Sequence, residues 1–440
     1  MKFLFSDSLD FVDPDYDFLA DRAAQNRRTH ASDLFPHEFL DAAPYDGLLV
    51  SRAAVGDVRR RGKYSEAQAM RFSREGARAF LRFSEARYPG SIVMGDNGAF
   101  SYRDEHVPPF GVEDTLDFYE DGGFTHGCAV DHLIFDLLPD DAPASEEAQR
   151  RSAITLANAE AFLPASKVLG RGFTPVGVVQ GWSPASMADA ARDLVAMGYR
   201  YLALGGTVPL RIEQIARVLA AVREAVPADV RLHVLGFGKV EQVDVLRTHG
   251  VASFDTTSPL LRAFKDGRRN YYVARPDGTL GYHTAIRIPD ALDNPRLLRA
   301  AKRGRLDQDA LEGMERTALA EVRAVGAGRG AGTGDVEAAV AAVMAYARYA
   351  LWDERRSEAR NEAHLARLAQ AYADALRDRP WERCPCRVCR ESGVEAMIFR
   401  GSNRNKRRGM HNLHVFHRHL AASAARSAPD AAQTTLETTP

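Results

Sequence analysis

The chain has 440 residues, of which 45% are hydrophobic and 27% charged, with a formal net charge of −1. That composition excludes wholesale disorder, and near-neutrality means that bulk charge neither demands nor excludes a nucleic-acid partner. No run approaches the roughly 18–20 apolar residues of a membrane span, and the opening MKFLFSDSLD meets acidic residues too early for a secretory signal. The expectation is a cytoplasmic protein with no membrane association.

Short apolar runs at 2–5, 47–50, 91–94, 128–135, 175–179, 201–204, 231–235 and 251–254 alternate with helix-like stretches. Runs of this length, mostly without alternation, suit strands buried on both faces of a parallel sheet. Ser65 with Gln68 reads as a capping box ahead of an amphipathic stretch to Arg87. Ser183 before Pro184 opens another helix that Gly198 closes, and a third runs from Lys239 to Gly250. Eight β-then-α units match an α/β fold of the (β/α)8 TIM-barrel type over residues 1–288, with a doubly wound open sheet as the competitor.

Residues 289–381 are rich in Ala, Arg and Glu and read as a helical insertion. It is broken at 326–334 by a glycine run that lacks the Lys-Ser/Thr of a phosphate loop and follows no strand, which predicts a connector. A Cys/His subdomain with a basic segment follows over 382–420, and 421–440 has no apolar pattern and reads as a disordered tail.

Reacting groups of such barrels gather at the C-terminal strand ends. Those ends read Gly95-Asp96-Asn97-Gly98-Ala99-Phe100, Ile134-Phe135-Asp136, Val179-Gln180-Gly181, Leu204-Gly205-Gly206, Leu235-Gly236-Phe237-Gly238 and Phe254-Asp255-Thr256-Thr257. Singly, an aspartate there is a turn former and a glycine merely permits positive φ. Together, three carboxylates, a glutamine and several glycines converge on one mouth. Paired carboxylates are what glycosyl transfer requires, one attacking the anomeric carbon and the other moving protons. The glycines let backbone approach a flat ligand, and Gln180 with Asp136 offers donors and acceptors to a heterocycle edge.

Four cysteines are too few for a disulfide scaffold, and three of them crowd together as Cys384, Cys386 and Cys389, followed by histidines at 411, 414, 417 and 419. Three thiolates and one imidazole close a tetrahedral structural zinc site and leave no open catalytic position. Cys128 reads as an ordinary buried thiol. Between Arg400 and His419 the charge is wholly basic, and Arg404, Lys406, Arg407 and Arg408 read either as a solvated face or as phosphate-backbone contacts.

Over 90–262 and again over 384–420 these pieces resemble the tRNA-guanine transglycosylase family, zinc-containing (β/α)8 barrels that exchange guanine in nucleic acid for a 7-deazaguanine. The segment from Gly95 to Phe100 resembles the family's Asp-Ser-Gly-Gly-Phe-Gln, and Phe135-Asp136 its base-recognising Phe-Asp. Val179-Gln180-Gly181, Gly205-Gly206, Leu235-Gly236-Phe237-Gly238 and Ser253-Phe254-Asp255 resemble its Val-Gln-Gly, paired glycines, Met-Gly-Val-Gly and Met-Phe-Asp. The resemblance implies Asp255 as nucleophile, Asp96 as general acid/base, and Asp136, Gln180, Gly205, Gly206, Leu235 and Gly236 as the base pocket. It also implies one structural Zn2+ on Cys384, Cys386, Cys389 and His411, with no organic cofactor.

Two departures bear on the substrate. Ser101 stands where the family has glutamine, and residues 257–262 replace the Leu-Pro-x-Arg that helps hold tRNA. The segments 44–50 and 94–102 resemble the DNA-modifying branch, DpdA, which places 7-cyano-7-deazaguanine (preQ0) into DNA. The expected function is therefore guanine replacement in DNA through a covalent Asp–deoxyribose intermediate. Its partners would be DNA, a free 7-deazaguanine base and an NTP-hydrolysing accessory protein. The alternatives are the same chemistry on tRNA, or a non-catalytic accessory subunit that binds nucleic acid. The second should lack a catalytic carboxylate, yet Asp96 and Asp255 are both present.

Overall fold

The computed structural model describes all residues except 57–59, 305, 328–333 and 427–440, together with the side chain of Arg296. The chain divides into two compact units, Met1–Asp10 with Tyr45–Ser258, and Phe11–Pro44 with Pro259–Pro440. Residues 259–288, expected in the barrel, thus belong to the second unit together with 11–44.

In the first unit eight parallel strands close on themselves: β1 (Lys2–Ser6), β2 (Gly47–Ser51), β3 (Ile92–Asp96), β4 (His126–Cys128), β5 (Thr174–Val179), β6 (Tyr201–Leu204), β7 (Arg231–Val234) and β8 (Ser253–Thr256). β8 pairs back onto β1, with Phe254 opposite Phe3 and Asp255 opposite Leu4, which excludes the open sheet. Leu4, Leu49, Met94, Cys128, Val176, Val178, Tyr201 and Ala203 fill one core. Phe3, Val93, Leu202 and Phe254, one position away along their strands, are equally buried. Strands covered on both faces are apolar throughout, hence the absence of alternation in these runs.

The punctuation acts as its chemistry requires. Ser65 accepts from the Gln68 amide and the Gln68 side chain returns to the Ser65 amide at 2.8 Å, opening the helix Glu66–Phe80, which stops short of the expected Arg87. Ser183 caps Pro184–Met197, and Gly198 closes it at φ +117°. The expected helix from Lys239 is only a turn and the short helix Asp244–Thr248.

The largest departure is at β4. The apolar run at 128–135 leaves the sheet after Cys128: the Ala129 amide still donates to the Val176 carbonyl on β5 at 2.9 Å, and from there side chains satisfy much of the backbone. The Cys128 carbonyl accepts from Asn97 Nδ2 at 2.9 Å and the Tyr119 hydroxyl at 2.7 Å. The Asp131 carbonyl accepts from the Tyr102 hydroxyl at 3.0 Å, and His132 N–H donates to Thr155 Oγ1 at 3.0 Å.

The second unit is built on the helices Gln308–Gly326, Val336–Ala350 and Glu358–Asp378, which share one core with the Cys/His segment; Val322, Val343, Leu376, Trp381, Val388 and Met410 lie in it. Two short strand pairs complete it, β9 (Tyr271–Ala274) with β10 (Leu280–His283) and β11 (Ile286–Arg287) with β12 (Ile398–Phe399). Helix Ser402–Arg426 takes in the first six residues of the expected tail; 427–440, and most of the glycine connector, lie outside the described residues. Among the described residues no helix is long and apolar enough to cross a membrane.

Candidate active site

Asp255 lies on β8 and is 5% exposed. Its Oδ2 accepts from Ser6 Oγ at 2.5 Å, at the end of β1, and its Oδ1 accepts from the Gly236 amide at 2.8 Å. His233 Nε2 stands 3.3 Å from the same Oδ1, while its Nδ1 is 2.6 Å from Ser253 Oγ, which also meets the Tyr201 hydroxyl at 2.6 Å. The carboxylate is thus oriented from the two strands that flank its own, β1 and β7. Gly236 has φ +66°, a conformation that favours glycine and turns its N–H onto Asp255.

Asp96 ends β3, half-buried, and its Oδ2 accepts from the Gly98 amide at 2.9 Å. Burial raises its carboxyl to about 6; a hydrogen bond from Ser51 opposes that, and the nearby charge of Asp255 adds to it. Such a group exchanges a proton near neutral pH, as acid/base work requires.

Gln180, 2% exposed, follows β5. Its Nε2 donates to Asp131 Oδ2 at 2.7 Å and its Oε1 accepts from the Ile134 amide at 3.1 Å. A Cβ on Gly205 would lie 2.1 Å from Gln180 Nε2, and one on Gly206 would lie 2.4 Å from the Ile134 carbonyl oxygen, so both positions admit only glycine without displacing this pair. Leu235 is half-buried against the barrel core, and its carbonyl accepts from Thr207 Oγ1 at 2.9 Å.

Asp136 is not brought to this cluster: it is exposed, five residues past Asp131. The acid beside Gln180 is instead Asp131, since the strand ends at Cys128 rather than Phe135. It is 2% exposed, and burial, reinforced by Asp96, pushes its carboxyl up to about 7. Asp7, just after β1, is a further buried carboxyl, raised by burial to about 6 while the Tyr64 hydroxyl donates to it at 2.6 Å. The sequence reading missed Asp131, Asp7, Ser6 and His233; an acid interrupting an apolar run was the available signal for Asp131.

In the second unit the Sγ atoms of Cys384, Cys386 and Cys389 lie 3.5, 3.5 and 3.3 Å from His411 Nδ1. Zn–S bonds of about 2.3 Å and a Zn–N bond of about 2.0 Å at tetrahedral angles imply an S···N edge of roughly 3.5 Å. His411 Nε2 is 2.8 Å from the Tyr272 carbonyl, which can only accept, so the proton sits on Nε2 and the Nδ1 lone pair faces the thiols. These four residues form a group that can hold a metal ion; His414, His417 and His419 are not part of it.

Three of the four basic residues expected to contact phosphates are turned inward. Arg404, Arg407 and Arg408 are at most 2% exposed. Arg404 donates to Glu395 Oε2 at 2.7 Å and also engages Asp21. Arg407 donates to the carbonyls of Asp13 and Pro14 at 2.9 and 2.8 Å. Arg408 donates to the carbonyls of Ala263, Ala396 and Ile398. Burial lowers Arg407 to about 10 and Arg408 to about 9. Lys406, half-buried, lies 4.9 Å over the Phe11 ring. The segment is basic because it must satisfy buried acceptors within its own unit.

A closed (β/α)8 barrel whose mouth sets an oriented carboxylate near a proton-exchanging one defines a glycosyl-transferring enzyme of the transglycosylase kind. No family model matches the chain. It is 37% identical to a DNA-guanine transglycosylase of Salmonella montevideo over 431 residues, 96% of each chain. The protein therefore belongs to the DNA-guanine transglycosylases, the DNA-modifying branch of the tRNA-guanine transglycosylase family.

Proposed function

We propose that the protein replaces guanine in DNA with a 7-deazaguanine, 7-cyano-7-deazaguanine being the incoming base. The observation that carries this is the Asp255–Asp96 pair: one carboxylate held by Ser6 and Gly236, the other raised to about 6 by burial, with the charge of the first adding to it. Asp255 attacks C1′ of the deoxyribose; the C1′–N9 bond breaks, and guanine leaves with the electron pair and takes a proton from Asp96. The incoming base gives its N9 proton to the Asp96 carboxylate, N9 attacks C1′, and Asp255 is released. Two displacements retain the β configuration. The target nucleotide must leave the helical stack to reach the barrel mouth.

Asp131, rather than Asp136, is the acid that reads the base edge with Gln180. Its burial and its bond to Gln180 Nε2 support the role, as do the close approaches at Gly205 and Gly206. Zinc is the metal proposed for Cys384, Cys386, Cys389 and His411. The S···N spacings support it, and a filled tetrahedron gives it a structural part only. The accessory NTP-hydrolysing partner remains an expectation from the family resemblance.

Denaturing electrophoresis after incubation with guanine-containing DNA tests the nucleophile. Wild type gives a slow-migrating covalent adduct, and Asp255→Asn gives none while retaining the wild-type zinc content. An adduct on the Asp255→Asn variant removes Asp255 from its role.

A further inference from the structure

The second unit holds a cavity of about 770 Å3 that the exchange chemistry does not use. Its walls come from helix Pro295–Lys302, the end of helix Val336–Ala350 with the loop after it, and helix Glu358–Asp378. Arg287, Arg299, Arg303, Arg348, Arg355 and Arg356 face it against two carboxylates, Asp353 and Glu354. Even counting Glu362, which pairs with Arg348, the surplus is three positive charges. Arg299 and Arg303 are exposed and have no carboxylate partner among the described residues. Arg355 and Arg356 both lean on the single carboxylate of Asp353, and solvent-exposed pairs of that kind exchange partners at little cost.

Two further observations give the surplus a direction. His364, on the same wall, is held below its ordinary value by burial and then by Arg356, Arg367, Arg268 and Arg287, so a neutral imidazole sits in an uncompensated positive field. Tyr349, 41% exposed, and the half-buried Trp352 stand among the guanidiniums. Positive charge to track phosphates and exposed flat rings to stack bases are together the requirements of a strand with unpaired bases.

We propose that this cavity is a second DNA site, distinct from the barrel mouth, which binds a single-stranded stretch by its phosphodiesters and stacks a base on Trp352 or Tyr349. The assignment rests on DNA being the substrate. A base that is withdrawn from a duplex leaves an unpaired stretch behind, and a groove of this chemistry is suited to retain it. Arg404, Arg407 and Arg408, being turned inward, cannot do so.

The test uses the full-length chain and fluorescence anisotropy of a labelled single-stranded deoxyoligonucleotide, titrated over a series of salt concentrations. Arg299→Glu/Arg303→Glu is expected to weaken binding at least tenfold. It should also flatten the log–log salt slope by about 1.4, at roughly 0.7 per single-strand phosphate contact. The variant should still form the covalent adduct at saturating DNA, since the barrel is untouched. Trp352→Phe should abolish the part of the DNA-induced tryptophan quenching that arises here. Arg299→Gln/Arg303→Gln guards against a folding effect of the reversed charge and should lie between wild type and the double Glu variant.

Unchanged affinity and slope would overturn the proposal. So would a loss of binding to tRNA without loss on DNA, or displacement of the strand by a deoxynucleoside triphosphate at equal concentration. Absence of any adduct with wild type, alongside weakened DNA binding by the variant, would defeat the exchange reading and leave this site standing.

Discussion

Asp96 illustrates how the site sets function against stability. Its ordinary carboxyl value of 3.8 is raised to about 6 in the fold, chiefly by burial. The folded state therefore binds the proton more tightly than the unfolded chain. The contribution of this group to stability is greatest below about pH 4, falls as pH rises between the two values, and is flat above 6. A two-unit shift corresponds to at most about 3 kcal/mol at the alkaline end. Asp96→Asn carries no such cost, so its melting temperature should exceed that of wild type at pH 8 by several degrees and converge on it towards pH 4. A gap that widened on acidification would contradict the assignment. At this scale Asp255 and Asp96, the proposed nucleophile and acid/base, stood out because each lies within two residues of an apolar run that does become a strand. His233 was not: a histidine inside such a run carries no mark of whether it faces the core or a carboxylate, and only closure of β7 against β8 brings it to Asp255.

At the scale of elements, seven of the apolar runs become strands within a residue or two, and the eighth is where the expected Asp136 falls outside the cluster. In 128–135 hydrophobicity continues past Cys128 because the segment is buried, not because it is paired; Asn97, Tyr102, Tyr119 and Thr155 replace the ladder. Side-chain satisfaction of a backbone leaves no local signature, so the strand end was placed at Phe135 and the acid at Asp136. Helix Ser402–Arg426 carries the parallel lesson for charge. A run of arginines reads the same whether it meets phosphates or buried carbonyls. Arg408→Met separates the two. It should destabilise the protein by about 3 kcal/mol, since it strands the carbonyls of Ala263, Ala396 and Ile398, while leaving the salt dependence of DNA binding as it was. A flatter salt slope with unchanged stability would return Arg408 to the phosphate-contact role.

For the whole molecule, the barrel and the four-ligand cluster were readable from spacing and from resemblance, but the division of the chain was not. Residues 11–44 leave the barrel between β1 and β2 and join the core of the helices and the Cys/His segment, where Val12, Phe39 and Leu40 pack. Contacts between positions hundreds of residues apart decide that boundary, and no composition shift announces it. The cysteine spacing, by contrast, needed only local geometry: a helix starting after Cys386 and a histidine on one later helix bring all four ligands together.

The most direct test of the account is the covalent trap run on two polymers. The purified protein is incubated separately with guanine-containing DNA and with tRNA, quenched, and resolved on a denaturing gel, with and without added 7-cyano-7-deazaguanine. The account predicts an adduct on DNA alone, which the added base disperses as it is transferred into the strand. An adduct on tRNA and none on DNA would contradict it.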